Sequence, residues 1–448
     1  MKTERKAMSD AAVTARPRNT APPLAIAGAP GAGEIMPPFV LPGEHFAAAL
    51  VWLALGAAGL AYVARDLAAG AFLSPRVIAV THCFTLGWIT TSIFGALYQL
   101  FPVTLGVSTR STTLGHVTFA LLQAGVVLLV AGTWFWRPAA LGLGWLVVLA
   151  ALALHTWNVV AQRSAATRGQ TIGRYVMAGH VGLALALLVI GARIGDMLGL
   201  WRVERIAHLS AHAHLAVVGF ATMTVVGVGS RLLPMFLLSR GHAAWPLAGI
   251  GPLAFGGAIV FTLGSGLDVP ALRIVGGSGM AAGLALYLFL AAQYFGRRTR
   301  RGFDLAMAHV AAAHAFLAAA VIVGLMQLGS AGFSARAATA YAVLGVLGWL
   351  SLFIVGIYYK ILPFLTWMHR FSSHVGEPGV PKVADLTVHA FAWGSLALTT
   401  VGIGLLSVGI GAGSGAAARA GAITAALGVW LVVAHHTRLV LVRGGRRP

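Results

Sequence analysis

The chain has 448 residues, 58% hydrophobic and only 9% charged, whereas soluble globular domains carry about 25% charged residues. That balance excludes a water-soluble fold. The net charge of +20 does not signal nucleic-acid binding either: there is no basic helix or aromatic–basic platform, and the charges sit between apolar runs, as topology signals do.

Residues 1–40 are rich in Ala, Pro, Gly and charge, with no apolar core behind the early Lys/Arg cluster. They read as a flexible, solvated tail and not as a signal peptide. From residue 41 to 442 the chain reads as a membrane domain. A bilayer core about 30 Å thick needs roughly 20 apolar residues per helix. Runs of that length fall near 45–63, 76–101, 114–132, 140–160, 174–191, 206–237, 246–265, 271–294, 303–328, 337–364, 384–409 and 418–442. They are continuous rather than alternating, which argues against strands. The expected fold class is therefore all-α, a polytopic membrane protein of about twelve transmembrane helices. The single cysteine, Cys83, excludes an intramolecular disulfide and any Cys-rich metal centre. Outside the helices, twenty Lys and Arg fall on one side and nine on the other. This predicts cytoplasmic termini in a bacterial inner membrane, with the lipid bilayer as the main partner.

The second, sixth and tenth helices end alike, at Pro102, Pro234 and Pro363. Seven residues before each proline stands a glycine: Gly95, Gly227 and Gly356. Fifteen before stands another, Gly87, Gly219 and Gly348, each followed by an aromatic, Trp88, Phe220 and Trp349. Three before are Gln99, Arg231 and Lys360. The prolines lie 132 and 129 residues apart. The spacing predicts three pseudo-symmetric four-helix units, about 45–160, 174–294 and 303–442, all pointing the same way through the membrane. The terminal prolines are expected to stop their helices and the glycine faces to line the interior.

Histidine is the unusual residue here, sixteen in all. Twenty residues before the repeat proline stand His82 and His214, with Val343 in the tenth helix. His208 and His212, four apart, share a face, while His214 points elsewhere. His45, His116, His208, His435 and His436 stand near helix ends, where contact with headgroups or water accounts for them. His82, His212, His214, His180, His309, His314 and His389 lie at membrane depth, where ionisable groups usually face a bundle interior and mark ligand or proton sites. Imidazole suits haem iron, copper or zinc, and intramembrane carboxylates are too few for a hard cation. Snorkelling accounts for Arg231 and Lys360, with the holding of an anionic cofactor group as the alternative. Tyr98, Tyr358 and Tyr359 read as interfacial anchors, with redox or proton transfer as the alternative.

The architecture and the stretch THCFTLGWITTSIFGALYQLFPVTLG, Thr81 to Gly106, resemble divergent members of the haem–copper oxidase subunit I superfamily. The AHAH doublet, Ala211 to His214, before a glycine–aromatic pair is similar to the NnrS family of membrane haem proteins linked to nitric oxide metabolism. The resemblance implies that His82 ligates a low-spin haem. Two departures remove the oxygen-reducing haem–copper pair: neither the tenth nor the seventh helix carries a histidine in its apolar run.

The expected function is thus a haem-binding membrane protein, of b type and with copper as a further option, in electron transfer or diatomic-gas metabolism. His82 and His214 are the expected ligands on the outer side, for iron or copper, His212 the reserve, and His309 and His314 a second, inner site. Any catalysis would be that of an oxidoreductase of this superfamily, alongside other respiratory or denitrification subunits. The alternatives are a histidine-dependent proton-coupled transporter or channel, and a non-catalytic assembly partner.

Overall fold

A computed structural model describes residues 38–105, 109–160, 171–299, 302, 304–329 and 334–441. The predicted tail, apart from its last three residues, lies outside them. Among the described residues, twelve helices are long and apolar enough to cross a membrane. They are α1 (Val40–Ala68), α2 (Pro75–Pro102), α3 (Thr112–Trp134), α4 (Pro138–Val159), α5 (Thr171–Met197) and α6 (Ile206–Leu237). The second half holds α7 (Pro246–Gly266), α8 (Pro270–Gly296), α9 (Leu305–Leu328), α10 (Ala335–Arg370), α11 (His389–Gly411) and α12 (Gly415–Leu439). No strand occurs among the described residues. The protein is an all-α polytopic membrane protein. Polar side chains mark several helix starts: Ser111 accepts from the Leu114 N–H, Asp304 from Met307 and Ser334 from Ala337, satisfying donors that a helix leaves open.

Three helices form the centre. The apolar windows of α2, α6 and α10 are 78%, 72% and 78% buried, against 28–50% for the other nine. Around them α3/α4, α7/α8 and α11/α12 form hairpins, while α4 packs on α5, α8 on α9 and α12 on α1, closing a ring. The hairpins share one register. Gly125, Gly257 and Gly402 abut Val148, Met280 and Ala425, each partner 23 residues further on. Gly144, Gly276 and Gly421 abut Leu129, Phe261 and Leu406 in turn. In lipid, helices associate by such backbone-close packing because apolar side chains gain nothing by leaving the hydrocarbon. The chain enters at Val40 and leaves past Leu439 on one face, hereafter the terminal face; the other is the distal face.

Two expectations about the central helices are corrected. The prolines do not stop them: α6 continues past Pro234 to Leu237 and α10 past Pro363 to Arg370. Nor do the glycines face the central axis. Gly95, Gly227 and Gly356 abut His45, Tyr175 and His309, and Gly87, Gly219 and Gly348 abut Trp52, Gly182 and Phe316. All six partners belong to α1, α5 and α9, so these glycines seat the first helix of each unit on its central one.

A feature invisible in the composition surrounds Gly87, Gly219 and Gly348. Each central helix widens into eight residues of π-helix: Cys83–Thr90, Leu215–Thr222 and Leu344–Ser351. All three begin 19 residues before their proline and end 12 before it. Hydroxyls support the wide turns, since Thr90 donates to the Thr85 carbonyl, Thr91 to Leu86 and Ser351 to Val346. π-turns are uncommon and concentrate at functional sites, because the extra residue re-aims everything beyond it. The residue immediately before each π segment is His82, His214 or Val343.

Candidate functional site

Most of the intramembrane histidines are held by one device. Nδ1 of His45, His82, His180, His214, His309 and His436 lies 2.8 Å from the carbonyl oxygen four residues earlier, and that of His314 lies 2.6 Å away. His212 is anchored across helices instead, 2.9 Å from the Ala186 carbonyl of α5. A carbonyl only accepts, so Nδ1 carries the hydrogen and the neutral ring presents an Nε2 lone pair. That tautomer, fixed by a backbone carbonyl, is the one a metal-ligating histidine uses.

What meets each Nε2 differs from helix to helix. His180 accepts from His155 Nδ1 at 3.0 Å, and the Phe94 ring stacks on His155 at 3.6 Å. His314 accepts from the Tyr287 hydroxyl at 3.1 Å, inside a cage of Trp349, Phe353 and Phe295. His309 lies 3.2 Å from the Ser395 hydroxyl of α11. His214 accepts from the Tyr341 hydroxyl of α10 at 3.3 Å and packs on Phe261 of α7. For His82 and His212 no group among the described residues takes up Nε2, and the two rings lie within electrostatic reach of each other.

The repeat register organises these pairs. On the distal side, one pair sets the pattern: His214, 20 before its proline, bonds Tyr341, 22 before the next. The positions equivalent by register are His82 and His212 at the first boundary, which lie within electrostatic reach of each other, and Val343 and Val80 at the third. Deeper in, the last helix of a unit meets the first of the next. His155 bonds His180 and Tyr287 bonds His314, and the equivalent third positions are Val432 and Leu50. Both levels show the same series. The first boundary carries two histidines, the second a histidine and a tyrosine, the third two apolar residues.

The expected ligands therefore separate. His82 and His214 hold the same register and both are half-buried, but they face different boundaries. His309 and His314 of α9 reach α11 and α8 respectively, so they do not form one inner site. His389 is exposed at the first residue of α11. His45, His435 and His436, expected at headgroup level, are 0%, 0% and 1% exposed. Tyr98, Tyr358 and Tyr359 are likewise buried, not interfacial. Tyr358 lies 2.7 Å from Ser92 across two central helices. Lys360 pairs with Asp304 at the start of α9, which accounts for its charge without a cofactor. His155, to which the sequence analysis assigned no role, is a member of a directly hydrogen-bonded imidazole pair. Only the equivalence of α4 with α8 and α12 could have singled it out.

Two half-buried imidazoles from different helices, each with Nδ1 anchored and Nε2 available, meet the donor requirement of a haem iron gripped from both faces. The His155–His180 pair does not, because its rings bond each other directly. Among the described residues no group of three or more His, Cys, Asp or Glu could hold a metal ion. Comparison with protein-family models gives no match, and no curated protein matches the chain.

Proposed function

We propose that this is a haem-carrying integral membrane protein in electron transfer or diatomic-gas metabolism, with His82 and His212 as the ligand pair. The observation that carries this reading is the pair itself: each ring is locked in the metal-binding tautomer, and neither Nε2 has a partner among the described residues. A bound haem would supply one-electron chemistry there. The protein's own residues would do the positioning. The π turn after His82 aims that ring, and the Ala186 carbonyl fixes the other. Copper held by the same two nitrogens is the second metal option.

The Lys/Arg count favours a terminal face in the cytoplasm, which sets the His82–His212 pair near the opposite surface. A bacterial inner membrane and respiratory or denitrification partners fit that arrangement. Haem and metal analysis of detergent-purified protein tests the reading. A Soret band with close to one haem per chain is expected; protein that is stably folded, haem-free after expression with haem supplied, and unable to take up added haem would end it.

A second reading, proton-coupled transport, draws on the buried imidazole–phenol contacts, His45 with Tyr98 and His309 with Tyr359. Pyranine-loaded proteoliposomes acidifying only with a co-substrate would favour it.

A further inference from the structure

We propose that units 1 and 3 each enclose a shaft of water opening on the terminal face, and that the equivalent place in unit 2 is closed. The first unit brings together His45 of α1, Tyr98 of α2 and Asn158 of α4. His45 and Tyr98 rings are 5.5 Å apart, and Asn158 donates to the Tyr98 hydroxyl at 3.4 Å. The helix register makes the third-unit equivalents His309, Tyr359 and His435. Those rings also meet, His309 with Tyr359 and Tyr359 with His435, both at 5.1 Å. Two units, related only by the repeat, thus hold an imidazole–phenol–polar triad at one depth.

Both triads are short of hydrogen-bond partners. His45 is fully buried and its Nε2 meets no protein group; His435 is fully buried and neither ring nitrogen does. A buried polar group without a partner is costly, and neutral imidazole has both a donor and an acceptor to satisfy. Water supplies both. A metal ion fits less well, since no group of three ligating side chains converges among the described residues. Each shaft also has a carboxylate at its mouth. Glu44, 22% exposed, lies 2.8 Å from His116, and Asp304, 24% exposed, pairs with Lys360.

Unit 2 shows what a closed version looks like. The equivalents are Tyr175, Ser230 and Leu290. Tyr175 donates to the Leu247 carbonyl at 2.7 Å and accepts from the Gly251 N–H at 3.0 Å. Ser230 donates to its own helix at Gly227, and Leu290 needs no partner. Neither polar side chain of these three is left without a partner.

Deuterium exchange at the imidazole C2 position, read by mass spectrometry on unmodified protein in nanodiscs, tests this. His45 and His435 should exchange at least about tenfold faster than His314, which is bonded at both nitrogens. Rates as slow as that of His314 would overturn the proposal. Sidedness is read in a Cys83→Ala background carrying Asn158→Cys, His435→Cys or Leu290→Cys. A small charged thiol reagent should modify the first two from the terminal face alone. Equal modification of Leu290→Cys, or modification only from the distal face, would contradict it.

Discussion

Replacing either His82 or His212 by alanine should remove bound haem, while His214→Ala should keep it. A lost axial ligand should cost more than the ~10–100-fold in affinity that loss of an outer-shell partner costs, so the Soret band per chain should fall close to zero. The His214 ring has its Nε2 occupied by Tyr341 and faces a different boundary, so its removal should disturb packing with Phe261 and leave the spectrum in place. Absorption and bound-haem content of the three purified variants are the measurement. The opposite pattern, with His214→Ala haem-free and His212→Ala loaded, would mean that the equal-register pair is the ligand set.

Deleting one residue from the first π segment should have an effect as large by a different route. Thr85 is half-buried and lies inside Cys83–Thr90. Its loss converts the wide turn to an ordinary α-turn, the intrinsically commoner state, so the helix itself should form well. Everything on the distal side of the deletion then rotates by about 100°, the step of one residue in an α-helix. His82 is turned away from His212. Circular dichroism should show unchanged helix content while haem binding disappears. Deleting Gly345 from the third π segment, where no neighbour lies within 4 Å of the glycine's open side, is the matching control. It re-aims the distal end of α10, residues 335–344 with Tyr341 among them, which holds neither His82 nor His212, and the haem should stay.

Much of the fold was legible because apolar run length maps directly onto bilayer thickness. The run at 206–237 and α6, Ile206–Leu237, coincide in their bounds. What the sequence could not show is how equal registers meet in a three-unit ring. His82 and His214 hold matching positions, and matching positions in a ring point to successive boundaries rather than to each other. The imidazole within electrostatic reach of His82, that of His212, is two residues out of register with it. Residues two apart on a helix face different ways, and that split sends one imidazole toward α5 and the other toward α7 and α10.

The terminal-face histidines were misread for another reason. Distance from a helix end suggested headgroup contact for His435 and His436. The connection between α10 and α11 is 16 residues longer than its counterparts, counted from the repeat proline to Gly125, Gly257 or Gly402. Its Phe371 and Leu386 pack on Leu439 of α12, which covers the last turn and buries the two imidazoles below. The tyrosines failed likewise. A proline that kinks a helix rather than ending it leaves the residue four before it inside the bundle.

The central claim is that two imidazoles on the first unit boundary grip one planar cofactor. A cryo-electron microscopy map of the protein as purified in lipid nanodiscs tests it most directly. Flat density between the Nε2 atoms of His82 and His212, continuous with both rings, is the predicted result. Density of that kind between any other pair, with these two rings turned into lipid, would contradict it.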